Sequence, residues 1–285
     1  MKKLGICGLG LIGGSLALAI RKKKLDFTIY GCDINQLTIK KALEKNIIDG
    51  TLNCHKNYNT KLDYLILSVS PKNVAGQFKI LHEVIDTNTL VMDVNSVKTN
   101  IIKSIQEINE KKIPFVSIHP MSGSHKKNID FADGDLFDGK KTIIICDKKD
   151  DLKNDKWTGL AHDFWASIGT RVIYLSAKEH DEITAITSHM PHAAASAMIN
   201  MMLENKLSIK KYHGIYGNGL LDFTRISMAD PAMWCDIILD NKENIINAIE
   251  KYNQSLINIK NIIQNEDREK LLRVLEDSKK FREGL

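Results

Sequence analysis

The segment Gly8-Leu9-Gly10-Leu11-Ile12-Gly13-Gly14 lies between a short apolar run, residues 4–7, and a helix-forming stretch, residues 15–24. Glycines at this spacing are weak evidence alone. Here a strand-like run precedes them, a helix follows, and Asp33 closes the next apolar run about 20 residues past the last fingerprint glycine, where dinucleotide sites keep a ribose-binding acid. Gly8 allows a tight turn, Gly10 lets the backbone approach a pyrophosphate, and Gly13 lets helix and strand pack closely. The helix start then offers unpaired N–H groups to the phosphates. The expected cofactor contacts are therefore Gly8, Leu9, Gly10, Leu11, Ile12, Gly13 and Asp33. An acid at Asp33 accepts from the ribose hydroxyls and repels a 2′-phosphate, which favours NAD over NADP.

Working outward, strand candidates fall at 4–7, 28–32, 64–68, 90–94, 115–118, 142–146 and 171–174. Helical stretches such as 36–45 and 99–112 separate most of them. Nearly continuous apolar strands alternating with helices predict a Rossmann-type, doubly wound parallel sheet covered on both faces. Ligands in such sheets bind beyond the carboxyl ends of the strands. That rule singles out Asp33, Val69 and Ser70, Asn95 and Ser96, and His119. Beyond about residue 176 the strand signal ends, and helix-period segments occupy 178–188, 193–205, 231–239, 242–264 and 266–281. The fold class is thus α/β followed by an all-α domain, with domains expected at 1–175 and 176–285. Long terminal helices with apolar stripes (Ile245, Ile249, Leu256, Ile259 and Ile263) predict a homodimer formed through the helical domain, two-fold dimers being the commonest oligomers.

The chain of 285 residues is 43% apolar and 26% charged, with net charge +5, as in an ordinary globular protein. No basic block with interleaved aromatics suggests nucleic acid binding. No stretch of about 18 apolar residues suggests a membrane span. Five scattered cysteines without a paired motif fit reduced thiols in the cytoplasm better than a zinc site or a disulfide framework.

His119, in His119-Pro120-Met121-Ser122-Gly123, follows a strand at the cofactor-facing edge. Histidine exchanges protons near neutral pH, so it is the candidate acid–base group, against a structural alternative. Ser96 could set the ring tautomer of His119, touch cofactor or substrate, or cap a helix. His189 and His192 stand three apart in Ser188-His189-Met190-Pro191-His192. No third ligand is evident, so no metal is expected, and Ser188, His189 and His192 are candidate substrate-pocket residues. Arg225, after the Gly217-Asn218-Gly219 turn, could fork a carboxylate; the bland alternative is an ion pair with Asp222 or Asp236. Gly219 and Trp234 complete the substrate-side candidates, Trp234 with packing as its alternative.

These pieces resemble the prephenate/arogenate dehydrogenase family. The matching motifs are GLGLIGGSLA (residues 8–17), DVNSVK (93–98), HPMSG (119–123), SHMPH (188–192), DFTRIS (222–227) and PAMW (231–234), in order over nearly the whole chain. The resemblance implies NAD-dependent oxidative decarboxylation of prephenate to 4-hydroxyphenylpyruvate, in tyrosine biosynthesis. It implies that His119 is catalytic, Ser96 its hydrogen-bonding neighbour, His192 a substrate-pocket residue and Arg225 the carboxylate binder. Two positions depart from the family pattern: Asn95 stands where Gly is common, and His125 where an acid is common. The second bears on substrate preference, pH response or tyrosine inhibition. More distant alternatives are another Rossmann-plus-helical reductase and a non-catalytic NAD sensor.

Overall fold

The computed structural model describes residues 1–52, 61–83, 85–123, 126, 128–146, 155–205 and 215–284; His125 lies outside them. Packing divides the chain into two compact units, Met1–Asn241 and Lys242–Leu285. The expected boundary at 175/176 falls inside the first.

The first unit is built on an eight-stranded sheet. In chain order its elements are β1 (Lys2–Cys7), α1 (Leu11–Lys22), β2 (Phe27–Cys32), α2 (Gln36–Glu44), β3 (Gly50–Thr51), β4 (Tyr64–Leu67), α3 (Pro71–His82), β5 (Leu90–Asp93), α4 (Thr99–Ile108), β6 (Phe115–Pro120), β7 (Lys141–Ile145), α5 (Lys156–Ser167) and β8 (Arg171–Leu175). The sheet order is β3-β2-β1-β4-β5-β6-β7-β8. Helices α6 (Ala177–Thr184), α7 (Met190–Glu204), α8 (Asn218–Thr224) and α9 (Pro231–Asp240) follow, with a π-helical turn at Ala185–His189 between α6 and α7.

Strand residues alternate between two cores, as a strand's period of two requires. Leu4, Ile6, Ile66 and Met92 enter one, with α1 and α5. Leu65, Leu67 and Val91 enter the other, with Val74 and Phe78 of α3 and Ile101 of α4. The doubly wound expectation holds except at one joint: β6 and β7 are antiparallel. Among the described residues between them, only the single turn Ile129–Phe131 is helical. A parallel crossover needs more chain wound as a helix, whereas an antiparallel neighbour needs only a loop. The thiol expectation also fails at one position, since Cys32 is disulfide-bonded.

The switch in strand order puts β1 beside β4, so their carboxyl ends open one crevice. Next to it a buried ion pair holds β5 to β6. Lys98 has no solvent exposure; its Nζ donates to Asp93 Oδ2 at 2.7 Å and to the Ile118 carbonyl at 2.6 Å. Asp93 also accepts from Ser117 Oγ at 2.5 Å and from the Asn95 N–H at 3.0 Å. A second long-range device starts α4, whose own N-cap, Lys98, supplies no side-chain acceptor. Asp181 of α6 accepts from the Lys98 and Thr99 N–H groups at 3.0 and 2.8 Å, satisfying donors that a helix start leaves orphaned. Helix α6 is itself fixed by a capping box between Ser176 and Glu179.

The second unit contains α10 (Lys242–Gln264) and α11 (Arg268–Glu283). Asp267 caps α11 through the Lys270 N–H. Leu256, Ile257, Ile263, Leu272, Leu275 and Phe281 are exposed. No helix among the described residues is long and apolar enough to cross a membrane.

Removing one partner of a buried pair leaves the other charge desolvated, at about 3–5 kcal/mol. Lys98→Met is therefore expected to lower the unfolding free energy by roughly that amount. Urea denaturation at constant pH measures it, and an unchanged midpoint contradicts the clamp.

Candidate active site

The glycine string occupies the crevice between β1 and β4. Gly8 has φ +93°, and a Cβ there would stand 2.1 Å from the Ser68 carbonyl oxygen. A Cβ on Gly13 would stand 2.0 Å from the Gly8 carbonyl oxygen. Both positions need glycine to bring β1, β4 and α1 together. Gly10 differs: nothing lies within 4 Å of its would-be Cβ. It is the N-cap of α1 and has no side chain to occupy that helix's first N–H groups. Open space above Gly10 and an uncapped helix start are what a pyrophosphate requires. Asp33, just past β2, accepts from the Leu9 N–H at 2.8 Å and the Asn35 N–H at 2.9 Å, so its carboxylate is held against the fingerprint loop. Val69 packs on the adjoining core, and Ser70 stands at the N-cap position of α3 without a side-chain capping bond, its Oγ accepting from Asn73 Nδ2 at 2.8 Å. Leu9 is buried, while Leu11 and Ile12 begin α1. The residues present thus fit a dinucleotide.

His119 stands on β6 at the same sheet edge, half-buried. Its Nδ1 lies 2.8 Å from His180 Nε2, and His180 Nδ1 lies 2.8 Å from Asp181 Oδ1. His180 is fully buried, and its carbonyl accepts from Thr184 Oγ1. Neither His180 nor Asp181 is among the sequence candidates. The ring contact expected from Ser96 is made by His180; Ser96 itself is half-buried two residues before Lys98. Asn95 is buried, and among the described residues its Nδ2 has no hydrogen-bond partner.

The π-helical turn carries Ser188 and His189, and His192 follows on α7. Such turns recur at functional sites. His189 is buried; its Nδ1 lies 3.2 Å from Asn241 Nδ2, and among the described residues its Nε2 has no partner. His192 Nδ1 lies 3.1 Å from the Ser188 carbonyl oxygen. The His192 ring stacks on Trp234, with centroids 3.3 Å apart and planes at 19°. Trp234 also packs against the α3–α4 core, so it is both a packing residue and a wall of this cluster. Arg225 opens a short 3₁₀ turn and is exposed. Among the described residues it forms no ion pair with Asp222 or Asp236, and Asp236 instead meets Lys72 at 3.2 Å. Gly219 lies in α8, and no atom of the described residues stands within 4 Å of its would-be Cβ.

Electrostatics tie these groups together. Burial, followed by the neighbouring His180, Lys98 and His189, holds His119 well below the usual histidine range. Burial first, opposed by Asp181 and reinforced by His180 and His192, brings His189 down to about 4. His192 is lowered by burial and by the charge of Arg225, against the pull of the Ser188 carbonyl. An electrostatic chain therefore runs from Lys98 through His119, His189 and His192 to Arg225. Of these five groups Lys98 and His189 are buried, His119 and His192 half-buried and Arg225 exposed, and burial favours the neutral form of all three histidines. Among the described residues no cluster of three or more His, Cys, Asp or Glu side chains is placed to hold a metal ion.

Residues 16–174 match the family model for the prephenate dehydrogenase nucleotide-binding domain, and residues 176–277 match the model for its dimerization domain. The chain belongs to the prephenate dehydrogenase family. It is 30% identical to prephenate dehydrogenase of Bacillus subtilis (strain 168), over 98% of this chain and 75% of that protein. It is 29% identical to prephenate dehydrogenase of Lactococcus lactis subsp. cremoris (strain MG1363), over 100% of this chain and 78% of that protein. Among solved structures, prephenate dehydrogenase from A. aeolicus in complex with hydroxyphenyl propionate and NAD+ superimposes with a TM-score of 0.90 at 34% identity. That match covers 100% of this chain and 98% of the other.

The glycines make separable predictions. Gly8→Ala should cost roughly 1–3 kcal/mol of stability, because its Cβ must displace backbone. Gly10→Ala should leave stability within about 0.5 kcal/mol, having no clash to relieve. It should nevertheless weaken NAD binding by about tenfold or more, equivalent to about 1.4 kcal/mol. Denaturation midpoints and NAD titration separate the two effects; equal NAD affinity in wild type and Gly10→Ala contradicts the pyrophosphate contact.

Proposed function

We propose that this chain is an NAD-dependent dehydrogenase that oxidatively decarboxylates prephenate to 4-hydroxyphenylpyruvate in tyrosine biosynthesis. The observation that carries the reading is the placement of His119 on the strand edge that also bears Gly10 and Asp33, coupled through His189 and His192 to Arg225. NAD, when bound, supplies the hydride acceptor. Gly8 to Gly13 hold its pyrophosphate, Asp33 its ribose, and Val69, Ser70 and Ser96 line the way to the ring.

Hydride leaves the substrate carbon that bears the hydroxyl. Its departure becomes easier as the hydroxyl loses its proton, so a neutral His119 within hydrogen-bond reach acts as general base. The opposite ring carboxylate leaves as carbon dioxide and the ring becomes aromatic. The product oxygen is a phenol, so His119 returns the proton it took and the base carries it only transiently. Carbon dioxide is neutral. A tight ion pair on the departing carboxylate would stabilise the ground state more than the transition state and oppose the reaction. Arg225 therefore grips the side-chain carboxylate, which keeps its charge throughout. Ser188, His189, His192, Gly219 and Trp234 form the remaining substrate wall.

The same reading divides the chain into a dinucleotide-binding domain, 1–175, and a helical domain, 176–285. It makes the protein a cytoplasmic homodimer joined through the helical part. Exposed apolar side chains on the helices after β8, including Leu221, Phe223, Met233, Leu239, Leu272 and Leu275, support that assembly.

NADH formation at 340 nm, with prephenate and arogenate offered separately and each with NAD and NADP, tests the whole reading; turnover is expected with prephenate and NAD. His119→Asn should lower kcat by roughly 10²–10⁴, the usual worth of acid–base catalysis. In the wild type the neutral base is lost only as pH falls through the pKa of folded His119. The acid limb of kcat/KM should therefore lie below the ordinary value of 6.5. Near-normal turnover of His119→Asn removes it from the mechanism. Arg225→Ala should chiefly raise KM, with a smaller change in kcat; an unchanged KM contradicts carboxylate binding.

A further inference from the structure

We propose that Asp181 and His180 form a two-residue relay that fixes the tautomer of His119, with Nδ1 protonated and Nε2 presented as the base. The proposal rests on the reading of His119 as the acid–base group. It adds two positioning residues that reach the substrate only through that ring.

The argument starts from donors and acceptors. Asp181 accepts from the Lys98 N–H at 3.0 Å and the Thr99 N–H at 2.8 Å. Two backbone donors at a helix start favour an ionised carboxylate, which is acceptor-only. The contact between Asp181 Oδ1 and His180 Nδ1, at 2.8 Å, therefore carries its proton on the histidine. A neutral imidazole with Nδ1 protonated has a lone pair at Nε2. The only hydrogen bond that this lone pair can complete at 2.8 Å is one donated by His119 Nδ1. His119 Nδ1 is thereby the protonated nitrogen, and Nε2 is left with the lone pair.

Two further features hold the relay in place. Thr184 Oγ1 donates to the His180 carbonyl at 2.8 Å, and Asn241 Nδ2 donates to the Asp181 carbonyl at 2.8 Å, so α6 cannot slide relative to α9. His180 has no solvent exposure, which excludes water as a competing partner for its Nε2. As His119 accepts the hydroxyl proton it becomes cationic. The relay then supplies a polarised acceptor at Nδ1, backed by the Asp181 carboxylate. The arrangement parallels the orienting acid of a catalytic triad, with one imidazole inserted between acid and base.

The test is nuclear magnetic resonance of the full-length protein, uniformly labelled with ¹⁵N, using two-bond proton–nitrogen correlations of the histidine rings above pH 7. The His119 signals are assigned by their loss in His119→Asn. The expected result is a single His119 tautomer with Nδ1 protonated, and a wild-type ring with Nε2 protonated overturns the proposal without any variant. In parallel, His180→Gln keeps an acceptor near the Nε2 position, whereas His180→Leu removes it. His180→Leu should lower kcat by roughly 10²-fold, the lower end for loss of acid–base catalysis. His180→Gln should recover most of that loss, and both should bind NAD as the wild type does. Equal kcat in the two variants, each with NAD binding intact, overturns the relay in favour of a packing role. Absence of turnover with both prephenate and arogenate in the wild type would defeat the functional reading, while the tautomer measurement would still stand or fall by itself.

Discussion

A fully buried ammonium at the carboxyl end of the sheet is the constraint around which the site is organised. Lys98 Nζ has left water entirely, and such a transfer is tolerated only with a carboxylate and further acceptors in place. Asp93 and the Ile118 carbonyl meet that demand. Because Asp93 ends β5 and Ile118 belongs to β6, the pair pins two strand ends together. It also fixes the backbone of the residue after Ile118, which is His119. One positive charge thus acts twice: mechanically it holds the strand end that carries His119, and electrostatically it helps keep that ring neutral. A carboxylate at the same place would raise the histidine and spoil a proton acceptor.

The second constraint is the start of α4. A helix N-terminus leaves orphan N–H groups that need acceptors, the more so where, as at Lys98, the backbone is buried. Lys98 cannot act as its own cap, because an ammonium has donors and no acceptor. Asp181 fills the vacancy from α6, some 80 residues further along the chain. The cap brings His180 with it, and His180 is then close enough to His119 to bond it. A structural debt at one helix end and the fixing of the His119 ring are met by the same set of contacts.

Much of this was legible in the sequence, and the boundary of legibility has physical causes. Gly8, Gly10 and Gly13 could be read because each answers a local backbone demand: a turn, a close approach, a tight packing. The strands could be read because burial on both faces leaves uninterrupted apolar runs. His119, Arg225 and the 188–192 segment stood out as reactive side chains beside strand ends or turns. What escaped is non-local. Residues 178–188 read as a helix, and nothing in that periodicity says that Asp181 will cap a helix beginning at Thr99. Ser96 was the plausible partner for His119 by proximity in sequence, whereas the ring is met by a residue 61 positions away. The reversal of β7 escaped for a related reason: an apolar strand reads the same in either direction, and only the connection before it decides. The two-residue β3 offers too few positions for any pattern.

The division of labour across the cleft follows from charge. The substrate brings two carboxylates, one that must leave as a neutral gas and one that stays. On the proposed reading, Arg225, exposed and, among the described residues, without an ion pair to Asp222 or Asp236, keeps its charge for the carboxylate that stays. The buried Lys98 is already neutralised by Asp93, so it biases the histidines without offering an ion pair to the carboxylate that departs. The pairing of the inner cation and the freedom of the outer one therefore have the same rationale: binding strength belongs where charge persists through the reaction.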